Sequence, residues 1–246
     1  MLTTATRVYR ETRKKHDQLF NTYVMRPLAA VVVATVHPTG ITPNQVTLLN
    51  LAVFLVAAVL LVAMPSWQGG LIAIAVLEAS YCLDCADGML ARFKKLASKA
   101  GHLFDFFTDE LKAIVLVGAL AVRAWRAGGL GLDMTQWPAG DSRFLLAGIA
   151  GVAIVASAIS LTNFVRSPEL SGKATTVEAH YETVEQKKGL GAQVATFLRF
   201  LNHYPSHIWI WALAGRMDAY MWLWIALNTL YLGRGWLGLL LRFGRS

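Results

Sequence analysis

Long apolar runs constrain this chain more than any other feature. A run of about 20 apolar residues is enough for an α-helix to cross a lipid bilayer, and hydrophobic side chains make up 55% of the 246 residues. We therefore predict an all-α, polytopic membrane bundle. Its six transmembrane helices are predicted at 46–64, 71–91, 101–125, 143–165, 194–215 and 218–241. Thr42 suits a helix N-cap with Pro43 at the first helical position, so the first span is expected to start there.

The segment before the first span has a different pattern. Residues 3–25 mix basic and apolar residues, which predicts an amphipathic helix lying on the membrane surface. Its apolar side is expected to hold Val8, Leu19, Phe20, Tyr23 and Val24. We expect a single membrane domain over 1–246, with the surface segment at 1–37 and the six-helix core at 46–241.

The distribution of basic residues predicts the orientation. The N-terminal segment carries six Lys and Arg residues, the 92–100 link four and the 166–199 link five, whereas the links on the opposite side carry fewer. Basic residues favour the cytoplasmic side, so both termini and these two links are predicted in the cytoplasm, most simply at a cytoplasmic (inner) membrane. This topology accounts for the net charge of +8, with attraction to anionic lipid headgroups as a secondary effect. No nucleic-acid motif is present, and no nucleic-acid partner is expected.

Four aspartates interrupt the apolar pattern. Asp84 and Asp87 lie three residues apart on one predicted helix, and Asp105 and Asp109 lie four apart on the next, so each pair occupies one helix face. The short link between the helices predicts an antiparallel hairpin that brings the pairs together near the cytoplasmic edge. An acidic residue inside a span costs roughly 2.5–3.5 kcal/mol on insertion scales, which indicates that the four have a purpose.

Such a group of carboxylates is suited to metal ions. Four close negative charges repel one another unless cations neutralise them, and two divalent ions supply the matching charge. Paired metals can clamp a phosphate during in-line displacement, and hard oxygen ligands favour Mg²⁺ or Mn²⁺. Gly88 and Gly101 leave room beside the acids, and Arg92 supplies donors suited to phosphate oxygens.

Ion pairing and ion transport explain the four aspartates less well than a metal site does. Asp109 can pair with Lys112, and Asp84 or Asp87 with Arg92, but a single ion pair leaves the other acids without a role. A divalent-cation transporter, a different class of function, would place its site near the membrane midplane between repeated halves. The four aspartates instead lie in one predicted hairpin near one edge of the membrane, and 143–241 contains no corresponding group of acids within its predicted spans.

The acidic stretch has a pattern that fills fixed positions from residue 84 to residue 109. The pattern is Asp84-x-x-Asp87-Gly88-x-x-Ala91-Arg92, eight residues, then Gly101-x-x-x-Asp105-x-x-x-Asp109. It resembles the signature of the CDP-alcohol phosphotransferase (CDP-alcohol phosphatidyltransferase) family of integral membrane enzymes. The upstream "TPNQVT" at 42–47 also resembles the family's entry to its first spanning helix.

The resemblance implies a reaction and a set of roles. A hydroxyl would attack the β-phosphorus of a CDP-linked alcohol, releasing CMP and forming a phosphodiester. The metal ligands it implies are Asp84, Asp87, Asp105 and Asp109. Asp109 would also be the catalytic base, and the CDP site would be lined by Gly88, Ala91, Arg92 and Gly101, with Asn44 and Thr47 helping to hold the nucleotide. It further implies a homodimer with a cytoplasmic, membrane-embedded site.

The substrates are less defined than the reaction. Our working expectation is transfer of a phosphatidyl group from CDP-diacylglycerol to a small polar acceptor in phospholipid biosynthesis. Glycerol 3-phosphate, serine, inositol, inositol phosphate and choline all suit the acceptor side. The alternative is a water-soluble CDP-alcohol donor attacked by a lipid hydroxyl.

Overall fold

A computed structural model of the protein describes residues 2–14, 17–167, 197 and 200–244. Over these residues the fold is almost entirely helical. The helices are α1 (Leu2–Thr12), α2 (Arg26–Val36), α3 (Pro43–Ala63), α4 (Trp67–Phe93), α5 (Lys99–Ala127), α6 (Ser142–Arg166), α7 (Ile208–Leu213) and α8 (Met217–Phe243). A π-helical turn, Asn21–Met25, precedes α2, and a 3₁₀ turn, Tyr204–Ser206, precedes α7. Strands β1 (Gly129–Leu130) and β2 (Gln136–Trp137) form a short antiparallel ribbon.

Three helices within the described residues are long and apolar enough to cross a membrane: α3, α4 and α6. Together with the long apolar pattern of the sequence, they identify an integral membrane protein. Helices α5 and α8 coincide with the predicted spans 101–125 and 218–241. The count of six spans stays a prediction.

The chain divides into two compact units. The N-terminal unit holds Met1–Lys112 and Pro205–Gly215, and the C-terminal unit holds Ala113–Tyr204 and Arg216–Ser246. All four aspartates of the sequence pattern lie in the N-terminal unit.

In the N-terminal unit, α3 and α2 pack against α4, and α1 packs against α2 and α4. The predicted start of α3 is confirmed: the Thr42 hydroxyl accepts a hydrogen bond from Gln45 N, and the Gln45 side chain accepts one from Thr42 N. Lys94, which follows α4, donates to the carbonyls of Thr39 and Ile41 at 2.9 and 2.8 Å. These contacts fix the entrance of α3 beside the end of α4.

The N-terminal segment differs from the single helix predicted over 3–25. Helix α1 ends at Thr12, and the Asp17 side chain accepts hydrogen bonds from Gln18 N and from the Asn21 side chain. Aspartate that bonds to nearby backbone in this way competes with continuous helix. Val8 is also buried in the core of the unit, so this part of the predicted apolar side packs against protein.

A polar network ties this segment to α4. The guanidinium of Arg26 binds the carboxylate of Asp17, and both side chains are close to fully buried. Asn21 donates to the same carboxylate at 3.0 Å, and Tyr81 of α4 donates to Asn21 Oδ1 at 2.7 Å. The network therefore couples the residues around Asp17, Asn21 and Arg26 to the helix that carries Asp84.

A second difference concerns the predicted span 194–215, part of which lies outside the described residues. Within the described part, residues 203–207 are not α-helical, and α7 covers only Ile208–Leu213. Pro205 lies at this interruption, and proline lacks the backbone N–H that a helix interior needs. Trp67 donates to the carbonyls of Ala212 and Leu213, which holds the end of α7 against the start of α4.

In the C-terminal unit, α6 and α8 pack together through small residues. A Cβ added at Gly151 would lie 2.9 Å from side-chain atoms of Ile225 and Val117, so the glycine permits this close approach. The ribbon is joined to α8 because Leu130 N donates to Asp218 and the indole of Trp222 donates to Leu130 O.

Candidate active site

Helices α4 and α5 bring three of the predicted aspartates together. Asp84, Asp105 and Asp109 each offer a carboxylate oxygen, and these oxygens all lie within 4.8 Å of one another. The spacing of four residues between Asp105 and Asp109 puts both on the face of α5 that meets Asp84. We call these three residues the aspartate trio.

The fourth aspartate, Asp87, lies outside the trio. It is buried, and its carboxylate accepts a 2.7 Å hydrogen bond from the hydroxyl of Thr47 on α3. Thr47 was expected to help hold a nucleotide, and the structure puts its hydroxyl against this carboxylate. That contact fixes the orientation of Asp87.

Two further polar residues support Asp84. Asn50 of α3 is fully buried, and its amide donates to Asp84 Oδ1 at 2.8 Å. The Ser80 hydroxyl lies 2.6 Å from Asn50 Oδ1 and 3.1 Å from Asn50 O. Because Ser80 occupies the acceptor side of the amide, its NH₂ group is directed at the carboxylate. Asp84 is thus held by a chain of hydrogen bonds from two helices.

A buried lysine also reaches the trio. Lys112 Nζ lies 2.6 Å from Asp84 Oδ1 and 2.6 Å from Asp109 Oδ1. The pairing of Asp109 with Lys112 that the sequence allowed is therefore present, and it extends to Asp84. The side chain of Lys112 is 3% exposed, whereas that of Asp109 is 49% exposed. The lysine therefore contacts the trio from the protein interior, and Asp109 lies on the exposed side of the trio.

The residues expected to line a CDP site surround the end of α4 and the start of α5. A Cβ added at Gly101 would lie 3.2 Å from Asn44 Oδ1, so Asn44 and Gly101 are neighbours. The guanidinium of Arg92 lies over Gly88, 3.5 Å from where a Cβ would be. Ala91 is half-buried on the same helix. Their roles toward a nucleotide stay predictions.

The donor set fits a divalent metal ion. Its ligands are all carboxylate oxygens, which suit hard cations such as Mg²⁺ and Mn²⁺. Asp105 Oδ1 is buried and has no hydrogen-bond partner among the described residues. A buried carboxylate oxygen without a partner is costly, and a bound cation would satisfy it.

Asn50 and Ser80 were not predicted from the sequence. A signal for both exists, because Thr47 and Asn50 are polar residues on one face of the apolar α3, and Ser80 precedes Asp84 by one helical turn. Polar residues inside an apolar span are expected to face a polar partner. That reasoning would have identified both as supports of the acidic cluster.

We expect Asn50→Leu to weaken metal binding, because groups that orient metal ligands typically contribute about 10–100-fold in affinity. Leucine keeps the volume and removes the donor to Asp84, while Ser80 retains its contact with the backbone carbonyl at position 50. The measurement is Mn²⁺ affinity by electron paramagnetic resonance on protein in lipid nanodiscs. Thr35→Val is the control, since the Thr35 hydroxyl donates to the Val31 carbonyl of its own helix. Equal Mn²⁺ affinity in both variants would contradict the supporting role of Asn50.

Comparison with known proteins agrees with this geometry. The family model of CDP-alcohol phosphatidyltransferase matches residues 40–213, which is well over half of the 246 residues. The match includes α3, α4, the aspartates and the residues that support them. No curated protein matches the chain. The family consists of transferases of substituted phosphate groups, and this chain belongs to the CDP-alcohol phosphatidyltransferase family.

Proposed function

We propose that this transferase moves the phosphatidyl group of CDP-diacylglycerol to the hydroxyl of a small polar acceptor, releasing CMP, in phospholipid biosynthesis. Membership of the family gives the coarser statement, transfer from a CDP-alcohol. The observation that carries the proposal is the convergence of Asp84, Asp105 and Asp109 on one small region of a membrane protein. A donor with lipid tails is the natural substrate for an enzyme embedded in the bilayer.

The proposed site uses Mg²⁺ or Mn²⁺, two ions per active site, held by Asp84, Asp87, Asp105 and Asp109. When bound, such ions would neutralise the diphosphate and make CMP a better leaving group. The protein's own part is to hold the ligands in place: Thr47 orients Asp87, and Asn50 orients Asp84. Gly88, Ala91, Arg92 and Gly101, with Asn44 and Thr47, are proposed to bind the CDP part.

Asp109 is the proposed general base. Its carboxylate is the most exposed of the trio, whereas its neighbour Lys112 is buried. An exposed carboxylate can come within about 3 Å of an acceptor hydroxyl and remove its proton. Lys112 fixes Oδ1 of Asp109, which orients the carboxyl group for that step.

The orientation and assembly of the enzyme are part of the same proposal. The site is proposed to open to the cytoplasm, with both termini on that side of a cytoplasmic membrane, because the basic residues concentrate in the segments predicted there. The enzyme is proposed to act as a homodimer in contact with membrane lipids.

The proposal is tested by CMP release from purified protein in nanodiscs. CDP-diacylglycerol is supplied with Mg²⁺ and one acceptor at a time: glycerol 3-phosphate, serine, inositol, inositol phosphate or choline. We expect release with one acceptor and none after chelation by EDTA, with recovery on adding Mg²⁺. If CMP is released only when a soluble CDP-alcohol is supplied with a lipid acceptor, the donor is the soluble CDP-alcohol and not CDP-diacylglycerol. Absence of CMP release with every donor and every acceptor would overturn the proposal.

A further inference from the structure

Lys112 carries a positive charge into the aspartate trio. Its ammonium group is 2.6 Å from an oxygen of Asp84 and 2.6 Å from an oxygen of Asp109. It is buried, so salt in the surrounding water screens these contacts little. Lys112 therefore occupies the position of a cation between two carboxylates that come from different helices.

The lysine changes the charge that metal ions meet. Two divalent ions would balance four carboxylates completely, and the ammonium adds one positive charge to that total. An excess of positive charge suits an incoming diphosphate. It also makes binding of the ions themselves weaker, because the ammonium repels them and already occupies oxygens of two ligands.

We propose that Lys112 is a positioning residue that acts as a built-in counter-cation: it holds Asp84 and Asp109 together without metal and lowers the affinity of the cluster for divalent ions. The inference rests on the proposed metal site. Lys112 lowers the affinity for divalent ions, whereas Asn50 raises it, because Asn50 orients Asp84 without adding a charge.

The effect of removing the charge follows from the geometry. In Lys112→Met the carboxylates of Asp84 and Asp109 would face each other without their shared cation, so the metal-free protein is less stable. A divalent ion would then relieve this repulsion and meet no ammonium. Both effects favour the metal-bound state, so metal binding becomes tighter.

The experiment measures Mn²⁺ binding by electron paramagnetic resonance, without any substrate, on protein in nanodiscs. We expect Lys112→Met to bind Mn²⁺ about tenfold more tightly than the wild type, since like charges a few ångströms apart interact strongly even at an intermediate dielectric constant. Lys112→Arg keeps the charge and should bind Mn²⁺ as the wild type does. The rise in melting temperature on adding Mg²⁺ should be larger in Lys112→Met than in either.

Each result decides the inference. Unchanged affinity in Lys112→Met would mean that the lysine only packs against the cluster, and weaker affinity would mean that it builds the site; either overturns the counter-cation role. If Lys112→Met does not fold, Lys112→Gln replaces it, because glutamine keeps a donor without a charge. Lys112→Gln is again expected to bind Mn²⁺ more tightly than the wild type. An Mn²⁺ affinity of Lys112→Gln equal to that of Lys112→Arg would overturn the counter-cation role.

Failure of this inference is distinguishable from failure of the proposed function. Wild-type protein that binds no Mn²⁺ would overturn the metal site and the inference together, whatever the CMP assay gives. Wild-type binding with unchanged affinity in the variants would overturn the role of Lys112 alone. CMP release does not enter either comparison.

Discussion

Replacing Asp109 with asparagine is expected to lower the rate of CMP release by roughly 10²–10⁴-fold, the usual contribution of a general base. Asparagine has nearly the same shape and cannot accept the acceptor's proton. The other three proposed metal ligands, Asp84, Asp87 and Asp105, remain in this variant, so binding of the CDP-alcohol should be weakened much less than turnover. The measurement compares CMP release at saturating acceptor with binding of the CDP-alcohol by equilibrium dialysis.

Glu110→Gln is the matched control for this variant. Glu110 adjoins Asp109 in sequence but projects about 100° away around the helix, and it is not a member of the trio. We expect it to keep most of the activity. Activity of Asp109→Asn near that of Glu110→Gln would exclude Asp109 as the base.

Of the substitutions named here, Asp17→Asn is expected to lower the free energy of unfolding the most. Arg26 would keep its buried position and lose its charged partner, and removing one member of a buried ion pair costs about 3–5 kcal/mol. The Arg26 and Asp17 side chains are 7% and 11% exposed. Because Asn21 and Tyr81 belong to the same network, the loss should also loosen the attachment of the N-terminal segment to α4. Thermal unfolding in detergent, followed by tryptophan fluorescence, measures the change.

The pH dependence of this contribution has a definite sign. Burial opposes ionisation of Asp17, but the charge of Arg26 and hydrogen bonds from Asn21, Arg26 and Gln18 N outweigh it and hold the pKa of Asp17 below its ordinary value. The folded pKa is thus depressed. The stabilisation is fully present above the unfolded pKa of about 3.9 and is lost as the pH falls through the folded pKa.

Acid titration therefore separates the wild type from the variant. Below pH ~4 the wild type should lose the stability that Asp17 contributes, whereas Asp17→Asn should lack that part of the loss. Glu11→Gln is the control, because Glu11 forms an exposed pair with Arg7, and such pairs contribute little. A Glu11→Gln variant as destabilised as Asp17→Asn would contradict the importance of burial.

The sequence predicted the helices of the acidic region well because each has a local signal. Thr42 and Pro43 mark the start of α3, and the spacing of the aspartates agrees with two helices that face each other. The signature also identified the family, which the match over residues 40–213 confirms. Local periodicity and a motif of fixed spacing were sufficient for these conclusions.

The contacts between segments far apart in sequence were not predictable in the same way. A basic amphipathic pattern is compatible with a membrane surface or with a protein core, and only the fold shows Val8 buried and Arg26 paired with Asp17. Lys112 was recognisable as a partner of Asp109 three residues earlier. Its second contact, with Asp84, depends on how α4 and α5 pack, and sequence spacing does not contain that information.

The support of the acidic residues by α3 has a consequence for membrane insertion. Asp84 and Asp87 bond to Asn50 and Thr47, which precede them by 34 and 40 residues in the chain. During synthesis, α3 therefore emerges before α4 and already carries polar partners for both carboxylates. Contacts between neighbouring helices form early because little chain must be ordered to make them. The α3–α4 pair can thus shelter two acidic groups from lipid before α5 has been made.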